Sequence, residues 1–260
     1  MVLIHLCAVL ALLLSINAAA ADDQPRGEIR FAVAAQFPPF QSRNQQGQLV
    51  GLNIDLGNAL CQQLNVRCTW VDQVLVENFP ALEARQFDAI MGIAPTSKRR
   101  QWVNFTDNLY PFTTRLVARK SSGLLPTAGS LKGKRVGVLL GSNREAFAQS
   151  KWAPAGVIVK SFWLNDELTR SLVSGQIDAT LQGTVEIRRA LLDTAGGQDF
   201  GFLGPAVSAE LLGNGVAIAV RKPDTRLRGE LNRALVQLMQ SGDYQRILQP
   251  YDLDKPCLTP

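Results

Sequence analysis

Arg135-Val136-Gly137-Val138-Leu139-Leu140-Gly141-Ser142-Asn143-Arg144 reads as a buried strand, a tight turn and the opening of a helix. Working outward, the same grammar recurs on both sides. Downstream, Asn165 is placed to cap a helix with Asp166 and Glu167 in its first turn, Leu168 and Leu172 inward and Gly175 as its stop. Residues 179–181 read as a strand, 185–192 as a helix and 216–220 as a strand, before a last helix striped by Leu227, Leu231, Leu235, Leu238 and Met239. Upstream, residues 30–33 are a strand, and Leu52, Leu56, Leu60 and Leu64 mark a helix face. Residues 68–71 are a strand, 79–85 a short helix with Pro80 in its first turn, and 88–91 a strand. Strand alternating with helix implies an α/β class with mainly parallel sheets covered on both faces. The looser stretch 121–130, rich in Ser, Gly and Pro, reads as a linker between two such units. Two lobes with a cleft are the simplest architecture.

The chain has 260 residues, 46% hydrophobic and 19% charged, enough apolar material for packed cores. Residues 1–21 carry no Lys, Arg, Asp or Glu; a run from Val9 to Ile16 is almost wholly apolar, and Ala18-Ala19-Ala20-Ala21 precede Asp22. That is the pattern of a secretory signal peptide, too short for a membrane span, so export to the periplasm is expected. The missing N-terminal positive charge keeps a start upstream of Met1 open. The signal holds the single histidine, His5. A mature chain without histidine cannot run a Ser-His-Asp or Cys-His mechanism or build a His-ligated metal site, so no metal and no cofactor is expected. In an oxidising compartment Cys61 and Cys68 form the natural bridge, with two free thiols as the alternative; Cys257 is expected unpaired. The net charge of +5 is scattered along the chain, so no nucleic-acid partner is expected.

Three loops carry candidate binding chemistry. In Ala35-Gln36-Phe37-Pro38-Pro39-Phe40 prolines stiffen a turn whose aromatics either cover a ligand or fill the core. In Ile93-Ala94-Pro95-Thr96-Ser97-Lys98-Arg99-Arg100 a helix start and an arginine fork suit a carboxylate, a solvated basic surface being the plainer reading. Leu140-Gly141-Ser142-Asn143 forms a turn whose N–H groups suit an anion. Residues 129–134 miss the phosphate-loop spacing, and Arg135 stands where that motif needs Ser or Thr.

The ordered set Pro39-Phe40, Val50-Gly51-Leu52-Asn53-Ile54-Asp55-Leu56, Asp88-Ala89-Ile90-Met91, Lys98-Arg99, Asn104-Phe105-Thr106-Asp107, Leu131-Lys132-Gly133-Lys134-Arg135-Val136-Gly137-Val138 and Gly242-Asp243-Tyr244 resembles the family 3 periplasmic solute-binding proteins of amino-acid ABC transporters. The segment from Asn58 to Val71 resembles in particular the lysine/arginine/ornithine- and histidine-binding branch, whose members carry a disulfide there. The resemblance implies a two-lobed fold with hinge closure over a small-molecule ligand, an ABC permease as partner in the inner membrane, and a monomer. It places the signal at 1–21, the first lobe at 22–112 plus 216–260 and the second at 113–215, with crossings near 112–115 and 214–216. It implies that Arg99 clamps a carboxylate, aided by backbone N–H groups of Ala94 and Asn143. Ser142 matches a serine of the same turn, and Phe37 and Leu75 fall where two aromatics flank the ligand.

Two departures stand out. Gly183 occupies the position of the aspartate that holds the α-ammonium, and Ala34 that of a second aspartate used for basic side chains. The carboxylate half of the site is thus kept while the standard ammonium half is lost. The expectation is either a relocated acid, with Glu186 the nearest candidate, or a carboxylate ligand without an α-amino group. Restoring Gly183→Asp with Ala34→Asp is expected to create basic-amino-acid binding. Two rival functions remain: a periplasmic enzyme resembling the exported cyclohexadienyl dehydratases, with Glu186 as proton donor, and a receptor reporting to a membrane sensor.

Overall fold

The computed structural model describes residues 26–251; the leader at 1–21 and Cys257 lie outside the described residues. The chain lays down β1 (Glu28–Val33), β2 (Gln36–Phe37), β3 (Gln41–Arg43), β4 (Leu49–Val50), β5 (Arg67–Asp72), β6 (Ala89–Ile93), β7 (Val103–Phe105) and β8 (Tyr110–Pro111). There follow β9 (Thr114–Arg119), β10 (Arg135–Leu139), β11 (Ile158–Phe162), β12 (Ala179–Gly183), β13 (Phe200–Val207) and β14 (Gly215–Arg221). One sheet has the order β5-β1-β6-β14-β7, with β8 also on β14, and the other the order β11-β10-β12-β9-β13. In each, the first three strands are parallel and the fourth is antiparallel. β2, β3 and β4 form a small third sheet over the mouth of the first lobe.

Both sheets are buried on both faces, as parallel strands between helices must be. Along β1, Ile29, Phe31 and Val33 enter a core shared with the helices Leu52–Gln63 and Thr225–Ser241, while Ala32 enters another with Leu82, Phe87 and Ile93. Phe31 stacks on Trp70 of the neighbouring strand with ring centroids 5.2 Å apart. The Cys61–Cys68 disulfide ties the helix Leu52–Gln63 to β5. Closing so short a loop stabilises the fold by about 2–3 kcal/mol on the chain-entropy account. Among the described residues no helix is long and apolar enough to cross a membrane.

Three local readings are corrected. The stretch 121–130 is no linker: it follows β9 of the second sheet, and Leu124 and Leu131 are buried in that lobe's core. Its Ser, Gly and Pro serve a 3-10 turn and the helix Ala128–Leu131, capped by Thr127. Asn165 is the first residue of the helix Asn165–Val173, not its cap, because its side chain accepts a 3.2 Å hydrogen bond from Gln182. Met239 is 39% exposed, since one residue beyond Leu238 the helix has turned about 100° off the buried stripe.

The same ionic clamp sits at the base of each lobe. Arg30 donates its backbone N–H and guanidinium to Asp88, whose N–H returns a bond to Arg30 O. Arg135 and Asp178 repeat the pattern. Burial alone would push the Asp88 carboxyl up, but the Arg30 hydrogen bonds prevail and hold it below its ordinary value of 3.8. Hydrogen bonds from Arg135 hold Asp178 down likewise. A carboxyl depressed in the folded state contributes stability that is complete above its unfolded value and lost as pH falls through the folded one. Thermal unfolding followed by circular dichroism should therefore show a midpoint that drops below about pH 4. Asp88→Asn should cost about 1–3 kcal/mol at neutral pH and flatten that acid limb.

Candidate functional site

The carboxyl ends of β1 and β6 face those of β10 and β12 across a narrow cleft with about 90 Å³ of free room. This is where ligands sit on open α/β sheets. Ala34 and Phe37 follow β1, Ala94 and Arg99 follow β6, and Leu75 closes the first-lobe wall. Ser142, Asn143 and Arg144 follow β10, while Gly183 ends β12 and leads into Glu186. The structure thus brings Phe37, Leu75, Ala94, Arg99, Ser142, Asn143 and Gly183 to one cavity. Phe37 and Leu75 are buried at its wall; Phe40 also lines it but stacks on Tyr110 at 5.2 Å, within the core.

Arg99 is singled out from its basic neighbours by local geometry. Thr96 caps the short helix Ser97–Arg100 by accepting the Arg99 N–H, which turns Arg99 inward while Lys98 and Arg100 stay exposed. Its guanidinium donates to Ala94 O and to Gly141 O of the opposite lobe, both at 3.1 Å, and lies over the Phe79 ring. Burial, and next the charge of Arg144, bring its pKa down to about 10, so it stays protonated at neutral pH. With five N–H donors, such a fork keeps donors for an incoming carboxylate.

The opposing turn is held by its own side chains. Ser142 Oγ accepts the Glu145 N–H at 3.1 Å, and Glu145 Oε2 accepts the Gly141 N–H at 2.7 Å, an arrangement close to a capping box. Asn143 donates its amide to Leu212 O. Gly141 has φ of +75°, and a Cβ there would come within 3.0 Å of Val76 Cα on the first lobe, so only glycine admits this approach.

Glu186 takes the space a side chain at 183 would use. A Cβ on Gly183 would lie 1.8 Å from Glu186 Oε2 and 2.8 Å from Arg144 Nη2. Glu186 Oε2 accepts a 2.7 Å bond from Arg144 Nη2, and the two side chains are only 12% and 6% exposed. A carboxylate therefore does stand beside position 183, but it is paired with a guanidinium. Sequence reasoning missed Arg144, whose one signal is its place directly after the anion-suited turn. It also missed a buried relay at the cleft floor, in which Tyr110 donates to Asn53 at 2.8 Å and Asn53 to Gln41 at 2.5 Å. Burial raises the Tyr110 pKa, which keeps that hydroxyl a neutral donor.

Residues 29–254 match the bacterial extracellular solute-binding proteins, family 3. The chain is 41% identical to a histidine-binding periplasmic protein of Salmonella typhimurium, over 86% of this chain and 87% of that one. It is 38% identical to a lysine/arginine/ornithine-binding periplasmic protein of Escherichia coli, over 93% and 94% of the two. An ancestral arginine-binding protein solved with arginine superposes with a TM-score of 0.81 at 29% identity, covering 88% of this chain and all of the other.

At Gly183 any side chain must displace the flexible end of Glu186, so an aspartate restored there would compete with the Arg144–Glu186 pair. Gly183→Ala should cost about 2–4 kcal/mol in chemical denaturation through loss of the buried pair. Combined with Glu186→Ala it should cost less than the two single changes added, a coupling that a double-mutant cycle reads directly.

Proposed function

The chain belongs to the bacterial extracellular solute-binding proteins, family 3, and on that premise we propose that Arg99 is the clamp for a carboxylate group of the captured solute. The protein is an exported receptor of the periplasm that captures an amino acid or related small carboxylate for an ABC importer. It is a binding protein rather than an enzyme, as its relatives are named for what they bind. The observation that carries the Arg99 reading is its guanidinium at the cleft, hydrogen-bonded to carbonyls of both lobes. A carboxylate laid on that fork would meet both lobes at once and favour closure. Ala94, Ser142 and Asn143 would border the carboxylate, and Phe37 and Leu75 would flank the rest of the solute.

The lobe assignment goes with this reading: 22–112 plus 216–260 on one side, 113–215 on the other. The passages from β8 to β9 and from β13 to β14 connect the two sheets, which supports hinges near 112–115 and 214–216. The lost acids at Ala34 and Gly183 argue against the cationic ligands named for the relatives. A buried ammonium or guanidinium without its carboxylate costs about 2–5 kcal/mol.

Thermal unfolding against a panel of amino acids and their deaminated carboxylate analogues tests the assignment. A true ligand at 100 times its Kd adds about 2.7 kcal/mol. Arg99→Ala should weaken that ligand by about 100-fold or more in calorimetry. An Arg99→Ala protein that binds as tightly as the parent would remove Arg99 from the site.

A further inference from the structure

Arg144 is the outlier of the cleft. Its residue is 5% exposed, its Nη2 is bonded to Glu186, and its guanidinium lies over the Phe112 ring. Its Nε, however, is buried with no hydrogen-bond partner. Arg115 and Arg221 also carry partnerless Nε groups, but neither lines the cleft, whereas Arg144 does. A buried donor left unsatisfied is costly unless something else completes it. Arg144 lines the cleft, and its guanidinium has donors beyond the one that Glu186 takes, which an acid of the solute can use.

The charges point the same way. Among the described residues lining the cleft, the charged side chains are Arg99, Arg144 and Glu186. Two cations and one anion leave a net positive cavity, whose complement is a solute with a net single negative charge. A zwitterionic amino acid would leave that charge unbalanced. A basic amino acid would add a further cation where Glu186 is already engaged by Arg144 and where Ala34 and Gly183 offer no acid.

Resting on the reading of Arg99 as carboxylate clamp, we infer that the solute carries two acidic groups, one set on Arg99 and the second on Arg144. The best-matched class is a dicarboxylate bearing one amine. Its ammonium faces Glu186, whose carboxylate has acceptor sites beyond the one that Arg144 occupies. The second acid then takes guanidinium donors of Arg144 that Glu186 leaves open, and Glu186 serves both to hold Arg144 in place and to receive the ammonium. The Glu186 carboxylate thus works beside position 183 without a side chain at 183 itself.

Isothermal calorimetry on the mature chain provides the test, with L-glutamate, L-aspartate, iminodiacetate and glutarate set against L-glutamine, L-arginine, L-lysine and L-histidine. At least one dicarboxylate should bind about 100-fold tighter than any basic amino acid. Arg144→Gln with Glu186→Gln, which removes both partners of the pair together, should weaken that dicarboxylate about tenfold or more, while L-glutamine, which loses the ammonium contact but has no second acid to lose, should weaken less. Arg144→Lys provides a second variant that keeps the charge but loses the planar guanidinium fork, and it should fall between the two. Tightest binding by arginine, lysine or histidine would overturn the inference, as would dicarboxylate binding indifferent to the Arg144 variants. In either case, a tight ligand that is lost in Arg99→Ala would leave the carboxylate clamp standing. Binding by no member of the panel would overturn both.

Discussion

The Arg144–Glu186 ion pair dictates the character of the cleft. Two nearly dry charges 2.7 Å apart bring little net stability, because removing both from water offsets most of their attraction. The pair's value lies in what it disfavours and fixes. It disfavours a side chain at 183, since the Glu186 carboxylate stands where a Cβ would go and must move aside for one. It fixes Arg144 against Phe112 and presents a guanidinium to the cavity. Its charge also reaches Arg99, adding to the burial that draws that pKa downward.

Such a pair can be held at the cleft because each lobe brings its site loops out of a repeated frame. In both, an arginine in the first half of a parallel strand, β1 or β10, clamps the aspartate just before β6 or β12, Arg30 to Asp88 and Arg135 to Asp178. The clamp aligns the two parallel strands at their amino ends and so sets the height at which their carboxyl ends stop. From those ends come the loops holding Ala34, Arg99, Ser142, Arg144 and Glu186. The rigid part of the molecule and its binding part thus lie at opposite edges of the same sheets, the usual division between scaffold and site.

The strand and helix pattern was legible because period and punctuation are local. Fourfold leucines, strand runs and glycine stops each act within a few residues, and the elements they imply are present. Arg99 was legible through its place in an ordered set of motifs, and the missing acids through Ala34 and Gly183. What stayed hidden depends on contacts across the fold. Nothing near Asn165 announces that its side chain is engaged by Gln182. A run rich in Ser, Gly and Pro says turn, but not whether Leu124 within it is buried. Arg144 read only as the opening of a helix, because its interior place depends on the return of the chain at Glu186, 42 residues later.

Arg99 links recognition to closure through a single group. Its guanidinium donates to Ala94 O on its own lobe and to Gly141 O on the other. The second bond is reached only because Gly141 has no side chain to hold Val76 away. Near it, the Asn165 N–H of the second lobe donates to Gln36 of the first at 2.8 Å. A solute that neutralises Arg99 therefore acts on the same group that ties the lobes together, and it relieves the repulsion from Arg144 as the cleft shuts. On the proposed reading, a ligand that brings negative charge between the two arginines would favour closure. A receptor built this way selects by electrostatics at the moment of closing as well as by the shape of its walls.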